Sequence, residues 1–191
     1  MKRIVIFASG AGTNAENIIR YFSGVDKNVR VEAILTNNRK AGVLDKASQH
    51  RISAFYFNRT AFYTSGQVLQ LLRALQPDLL VLAGFLWKVP DPVLRAFPGK
   101  TINIHPALLP KYGGKGMYGL HVHKAVVHYK EKETGMTIHY VNENYDEGTV
   151  IFQARTEVLA TDTPETVAEK VQQLEYRHFP EIIEKLLNGT L

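Results

Sequence analysis

Short apolar runs of strand length alternate with amphipathic helical stretches through the first half of this chain. Alternation of this kind is typical of an α/β domain, in which crossover helices join parallel strands. The predicted strands of this half are residues 3–8, 30–36, 53–57, 79–83 and 101–105, and the predicted helices are residues 14–22, 42–50, 64–75 and 92–97. Asp91 is expected to cap the last of these helices, with Pro92 in its first turn.

The second half of the chain has a different pattern. A glycine-rich stretch, residues 113–119, precedes a predicted helix at residues 120–129. Strands predicted at 135–141 and 149–158 form a hairpin that adds antiparallel strands to the sheet. A last helix begins at Thr163-Pro164, and Pro180 is expected to end or kink it. We therefore predict one domain over residues 1–191, with a Rossmann-like, mostly parallel sheet flanked by helices and an antiparallel hairpin in its C-terminal half.

Composition excludes several kinds of protein. The absence of cysteine excludes disulfides, thiolate catalysis and cysteine-ligated zinc. The net charge of +5 does not gather into a basic tail or stripe, so a nucleic-acid partner is not expected. This charge suits small anionic substrates, and a role in solubility alone explains it equally well. Residues 4–8 are too short for a signal peptide, and no run approaches the roughly 18 apolar residues of a membrane span. We expect a cytoplasmic protein with no membrane partner, and we predict no oligomeric state.

A loop with two glycines lies between the first predicted strand and the first helix, and its sequence is Gly10-Ala11-Gly12-Thr13-Asn14. Free N–H groups and the helix dipole favour an anion at this position. The same spacing fits a dinucleotide-binding fingerprint, but that fingerprint expects an acidic residue where residues 35–38 read Leu-Thr-Asn-Asn. A tight turn that binds nothing is the other alternative.

The end of the fifth predicted strand carries two side chains suited to catalysis. Strand alternation places Asn103 and His105 on the same face, and Pro106 stops the ladder directly after them. An amide can donate to a developing oxyanion, and an imidazole can move a proton near neutral pH. The alternative is a polar pair on a solvated strand face.

These segments together resemble the formyltransferases that use 10-formyltetrahydrofolate. Residues 103–110, Asn-Ile-His-Pro-Ala-Leu-Leu-Pro, match the core of that family's signature. Thr137-x-His139 and Tyr145-Asp146-Glu147-Gly148 match the segment that carries its catalytic aspartate. Residues 9–14 match the phosphate loop of the branch that acts on glycinamide ribonucleotide, and the likeness extends from Lys2 to about Gly189.

The resemblance implies an activity and a set of catalytic residues. The implied reaction transfers the formyl group of 10-formyltetrahydrofolate, a co-substrate, to the amine of glycinamide ribonucleotide in purine synthesis, with no metal ion. Asn103 is implied to donate to the oxyanion, and His105 to stabilise it and help move the proton. Asp146 is implied to hold His105 in its charged or correctly oriented form, so we expect it to raise the pKa of that histidine. His139 is implied to be auxiliary.

The resemblance also implies two sets of ligand contacts. The ribonucleotide set combines the phosphate loop with two ribose-binding residues of the last helix: Gly10, Ala11, Gly12, Thr13, Asn14, Gln172 and Glu175. The folate set lies after the fourth strand, on the fifth strand and in the turn of the hairpin: Leu86, Trp87, Lys88, Val89, Asn103, Val141, Asn142, Glu143, Asn144, Tyr145 and Asp146. Trp87 stands where the family more often has an arginine, and it either stacks on the folate or packs against protein.

Other functions remain as alternatives. A relative that hydrolyses formyltetrahydrofolate shares the Asn, His and Asp set but usually has an extra N-terminal domain. A relative that formylates methionyl-tRNA has an extra C-terminal domain. We expect room for neither extra domain in this chain. A non-catalytic nucleotide-binding module needs only the phosphate loop. A metal site is not expected, because a helix places His121 and His128 on one face and turns His123 away. Residues 111–119 are expected to form either a mobile lid or a permanently ordered connector.

Overall fold

One mixed sheet forms the centre of the computed structural model, which describes residues 1–24 and 28–191. The strand order is β3-β2-β1-β4-β5-β6-β7. The first five strands are parallel to one another, and β5, β6 and β7 pair in antiparallel fashion. This arrangement confirms the predicted fold. The strands are β1 (Lys2–Phe7), β2 (Val29–Thr36), β3 (Ser53–Tyr56), β4 (Leu79–Leu82), β5 (Thr101–His105), β6 (Glu133–Tyr140) and β7 (Val150–Glu157).

Helices cover both faces of the sheet and enclose a hydrophobic core on each side. Successive side chains of a strand point to opposite faces of the sheet, so Ile4 and Ile6 of β1 pack in one core while Val5 and Phe7 pack in the other. The first core lies under α1, α2, α5 and α6, and the second lies under α3 and α4. The helices are α1 (Thr13–Gly24), α2 (Val43–Gln49), α3 (Gln67–Leu75), α4 (Asp91–Ala96), α5 (Leu120–His128) and α6 (Pro164–Asn188).

Two predicted helix starts are wrong. The helix predicted to begin at residue 64 begins at Gln67, because a π-helical turn at Thr60–Thr64 and Gly66 in the left-handed region (φ +70°) come first. Asp91 does not cap α4, because Pro90 holds the extended backbone of the capping position and Asp91 is already helical. Asp91 therefore contributes its negative charge to the first turn of the helix.

Pro180 was predicted to end or kink the last helix, and it does not end α6, which continues to Asn188. A proline has no N–H, so the carbonyl of Tyr176, four residues earlier, loses its usual partner. The side-chain amide of Asn17 donates to that carbonyl over 2.7 Å, which compensates for the lost bond. Because Phe179 and Ile183 are completely buried on either side, packing also favours continuation of the helix. Within the described ranges, no helix has both the length and the apolar character needed to cross a membrane.

Candidate active site

A cavity of about 700 Å³ opens at the carboxyl ends of β1, β4 and β5. Strand β1 lies between β2 and β4, so the connections after β1 and β4 leave the sheet in a region where the strand order reverses. A crevice at such a reversal is the usual ligand site of an open α/β sheet. The glycine loop after β1, the segment after β4 and the end of β5 all line this cavity, together with residues of α5 and α6.

The pairing of β5 with β6 sets the positions of the catalytic candidates. Asn103 lies directly opposite His139, and His105 lies opposite Thr137. The Thr137 hydroxyl donates to the carbonyl of Ala107 over 2.6 Å and accepts from the N–H of Leu109 over 3.0 Å. The chain that follows His105 is therefore fixed to the neighbouring strand.

His139 orients the side-chain amide of Asn103. Its ring Nδ1 lies 2.9 Å from the carbonyl of Tyr140, and a carbonyl only accepts, so Nδ1 carries the proton. Its Nε2 lies 3.1 Å from Asn103 Nδ2 and 3.6 Å from Asp146 Oδ1, so the ring contacts both groups. The same Asn103 nitrogen lies 3.4 Å from Asp146 Oδ1. His139 is only 2% exposed, so its effect on the cavity passes through Asn103 and Asp146.

His105 has two different environments at its two ring nitrogens. Nε2 donates to the carbonyl of Tyr112 over 2.7 Å, whereas Nδ1 lies 3.5 Å from Asp146 Oδ2. Burial lowers the pKa of His105 below its ordinary value, although Asp146 and the Tyr112 carbonyl raise it in part. The expected effect of Asp146 is therefore present, but burial of a ring that is 4% exposed is larger. Together these effects favour the neutral form of the His105 ring.

Asp146 is held as a carboxylate. Burial raises the pKa of its carboxyl, but the interactions with His139 and His105 and the N–H of Gly114 outweigh burial and keep that pKa below its ordinary value. Gly114 N–H donates to Oδ2 over 2.9 Å. The backbone of Asp146 lies in the left-handed region (φ +56°), and a Cβ on Gly113 would lie 2.6 Å from Leu109 Cδ2 and 3.3 Å from Asp146 Cβ. A side chain at residue 113 would therefore require the Leu109 side chain to move.

The other end of the cavity contains the glycine loop. Gly12 is required there, because its φ is +73° and a Cβ would lie 2.4 Å from Val43. Asn14 Nδ2 donates to Glu175 Oε2 over 2.7 Å, and among the described residues Asn14 Oδ1 is buried without a partner. Burial raises the pKa of Glu175. Of the ribonucleotide set, the residues that line the cavity are Gly10, Asn14, Gln172 and Glu175, while Ala11, Gly12 and Thr13 do not.

The segment after β4 contributes one side chain of the folate set to the cavity. Leu86 is 50% exposed, and its N–H donates to Ser9 Oγ over 2.9 Å. Trp87 instead packs among aromatic rings, with Phe57 at 6.0 Å and the Arg59 guanidinium 4.8 Å above its ring. Of the folate set, the residues that line the cavity are Leu86, Asn103, Tyr145 and Asp146, whereas Trp87, Lys88, Val89, Val141, Asn142, Glu143 and Asn144 do not.

Sequence analysis missed His123 as a residue of the cavity. His123 is 5% exposed, and within residues 1–24 and 28–191 its Nδ1 has no hydrogen-bond partner. Burial and, to a smaller extent, His105 lower the pKa of His123 to about 4. The sequence feature that could have revealed it is its position between Val122 and Val126, on the buried face of α5.

His121 and His128 are exposed, and no group of three metal-ligating side chains occurs in the part of the chain that the structure describes.

Comparisons with known proteins show which family the chain resembles. A family model described as "Formyl transferase" matches residues 2–183. The chain is 36% identical over 187 residues to "Phosphoribosylglycinamide formyltransferase, chloroplastic" of Arabidopsis thaliana, covering 95% of this chain and 64% of that protein. It is 33% identical to "Phosphoribosylglycinamide formyltransferase" of Bacillus subtilis, covering 98% of this chain and 95% of that protein.

A solved structure shows the same fold. The crystal structure of glycinamide ribonucleotide transformylase 1 from Symbiobacterium toebii has a TM-score of 0.90 at 32% identity, covering 99% of this chain and 89% of that one. The chain spans less than two thirds of the length of the chloroplastic relative. On the family match and the shared fold, the chain belongs to the formyl transferase family.

Proposed function

We propose that this chain transfers the formyl group of 10-formyltetrahydrofolate to the amine of glycinamide ribonucleotide, a step of purine synthesis. One observation carries the proposal: Asn103, His105 and Asp146 converge at one end of a cavity whose other end is a glycine loop at a helix N-terminus. The names of the relatives support the choice of substrates. Because one sheet carries all of these residues, we also propose that residues 1–191 act as a single formyltransferase domain.

The ribonucleotide is proposed to lie between the glycine loop and α6. Backbone N–H groups of residues 10–14 and the N-terminus of α1 suit its 5′-phosphate. Glu175 and Asn14 are already bonded to each other, and both side chains line the cavity where ribose hydroxyls would bind. Gln172 lies one turn before Glu175 on the same face of the helix.

The formyl folate is proposed to lie across Leu86 and Tyr145, with its formyl group against Asn103. The exposed side chain of Leu86 offers an apolar surface to a flat heterocycle, and Tyr145 lines the facing side of the cavity. The residues of the folate set that do not line the cavity contribute through the backbone or through contacts made when the ligand is bound. This arrangement brings the formyl carbon close to Asn103 and His105.

The first chemical step needs charge stabilisation more than it needs a base. An α-amine has a pKa of about 8, so much of the substrate amine is already neutral. When it attacks the formyl carbon, a C–N bond forms and the carbonyl π electrons move to oxygen. Asn103 Nδ2 donates to this oxyanion, exchanging its long 3.4 Å contact with Asp146 Oδ1 for a shorter bond.

The second step moves one proton from the attacking nitrogen to the departing folate nitrogen. His105 Nε2 stays bonded to the Tyr112 carbonyl, so Nδ1 is the nitrogen that faces the reaction. Neutral Nδ1 accepts the proton. The oxyanion then re-forms the carbonyl as the bond from carbon to the folate nitrogen breaks, and that nitrogen keeps the electron pair and takes the proton back from the imidazolium. Asp146, 3.5 Å away, stabilises the transient imidazolium. The scheme uses no metal ion.

Incubation with the formyl folate, with and without glycinamide ribonucleotide, tests the proposal. We expect release of tetrahydrofolate that depends on the ribonucleotide, yields the formylated ribonucleotide and is unaffected by a chelator. Release at the same rate without ribonucleotide would instead identify a hydrolase. No release under either condition would identify a binding module. The Asn103→Ala variant serves as the matched control for release that does not involve the site.

A further inference from the structure

The backbone carbonyl of Tyr112 contacts one nitrogen of the His105 ring. Its carbonyl accepts from His105 Nε2 over 2.7 Å, and its backbone lies in the left-handed region at φ +55°. A residue with a side chain rarely adopts this conformation unless other contacts hold it. The direction of the Tyr112 carbonyl therefore depends on what fixes the rest of the residue.

The Tyr112 side chain is fixed by a carboxylate outside the active-site cavity. Its hydroxyl donates to Glu131 Oε1 over 2.9 Å. The neighbouring Lys111 Nζ contacts both oxygens of the same carboxylate, at 3.0 and 3.2 Å. Burial and Glu131 together raise the pKa of Tyr112 to about 12, so its hydroxyl keeps the proton that it donates. Glu131 thus binds two consecutive residues of the segment that contacts His105.

Glu131 is itself held by the end of α5. The N–H of Glu131 donates to the carbonyl of Val126 over 3.1 Å, and the N–H of Lys130 donates to that of Val127 over 3.1 Å, with Lys130 at φ +51°. This pair of bonds is a Schellman motif, which fixes the backbone directly after a helix. Glu131 does not line the active-site cavity but borders a separate cavity of about 220 Å³.

We infer that Glu131 is a positioning residue for formyl transfer, which holds the Tyr112 carbonyl on His105 Nε2 and so keeps Nδ1 directed at the reacting atoms. The inference rests on the proposed function for its chemistry, but the contact chain from Glu131 to His105 exists without substrate. The titratable groups that face His105 are Asp146 from the hairpin turn, His139 from β6 and His123 from α5. None of them contacts Glu131 in the described structure, and the contact chain from Glu131 to His105 passes through Tyr112.

Two conservative substitutions test the hydrogen bond between Tyr112 and Glu131. Glu131→Gln weakens its acceptor, and Tyr112→Phe removes its donor. The pKa of His105 is followed by NMR titration of its ring in the ligand-free protein. The carbonyl of Tyr112 favours the charged ring, so both variants should titrate at lower pH than the unsubstituted protein. We also expect kcat to fall about tenfold, with KM for either substrate changing less than about twofold.

The double variant and a control make the test specific. If the two residues act through one bond, the double variant should show the same His105 titration as either single variant. Glu133→Gln, an equivalent change at an exposed residue that pairs with Arg155, should leave the titration unchanged. An unchanged His105 titration in both single variants, or additive shifts in the double variant, would overturn the inference. Because the titration uses no substrate, the His105 result can be interpreted even if the proposed transfer reaction is not observed.

Discussion

The two halves of the sheet hold their parts of the site in different ways. In the parallel half, the loop after β1 presents backbone groups at the start of α1, in a conformation that requires glycine at residue 12. In the antiparallel half, Asn103 and His139 face each other across β5 and β6 and are bonded side chain to side chain. Binding an anion needs only oriented backbone, whereas moving a proton and stabilising an oxyanion need ring nitrogens and an amide fixed by buried partners.

This difference predicts which kinetic constant each half controls. Substitutions in the antiparallel half should lower kcat, because they remove interactions made in the transition state. Substitutions in the parallel half should weaken binding of the ribonucleotide and leave the chemical step intact.

His105→Ala and Asn103→Ala should each lower kcat by at least about 100-fold, the usual scale for loss of an acid–base group or an oxyanion donor. Steady-state kinetics of the purified variants measures the effect, and circular dichroism checks that they are folded. Near-normal turnover in either folded variant would remove that residue from the mechanism.

Asp146→Asn should keep the shape of the site, lose the charge and lower kcat about tenfold or more. The carboxylate favours the charged form of His105, so the pKa of His105 should fall further below its ordinary value in this variant. The acid limb of the pH profile should then move to lower pH, because His105 must be neutral to accept a proton. If the His105 titration does not change, Asp146 does not act through His105.

Asn14→Ala and Glu175→Gln should raise the Kd for the ribonucleotide about tenfold, since each removes about one hydrogen bond to a buried partner. The Kd for the folate should stay within about twofold, because these residues lie at the other end of the cavity. Calorimetry with each ligand separately measures both constants. Equal losses for the two ligands would contradict the division between the halves.

The glycine-rich segment should respond to ligands only in its outer part. Tyr112 and Gly114 are bonded to His105 and Asp146, whereas residues 115–119 line the cavity and, within the described residues, make no hydrogen bond to either side chain. We expect hydrogen exchange at residues 115–119 to slow about tenfold when both ligands are bound. Residues 112–114 are the internal control, and equal protection with and without ligands at residues 115–119 would show a permanently ordered connector.

The parts of the site that lie on regular strands were predictable from sequence. Alternation on β5 places Asn103 and His105 on one face whatever the surrounding fold, and the observed strand, Thr101–His105, has the predicted bounds. The predicted parallel sheet with an added hairpin is also confirmed. It was predictable because the apolar runs have the length of strands and are bounded by turn residues.

The remaining parts depend on contacts that no local pattern encodes. Asp146 and Tyr112 lie in the left-handed region, which ordinary residues adopt only when distant partners such as Gly114 and Glu131 hold them. Resemblance identified Asp146, and nothing identified Tyr112 or His123. The low pKa of His105 was also unforeseen, since burial depends on the packed fold and a neighbouring carboxylate alone predicts the opposite direction.

The central claim is that His105 acts through Nδ1, with Nε2 fixed to the Tyr112 carbonyl. Nitrogen-15 NMR of the His105 ring across a pH titration tests this claim most directly, because the two ring nitrogens have distinct shifts in each tautomer. We expect Nε2 to carry the proton in the neutral ring and Nδ1 to titrate with a pKa below the ordinary value. A neutral ring protonated at Nδ1, or a pKa above the ordinary value, would contradict the account.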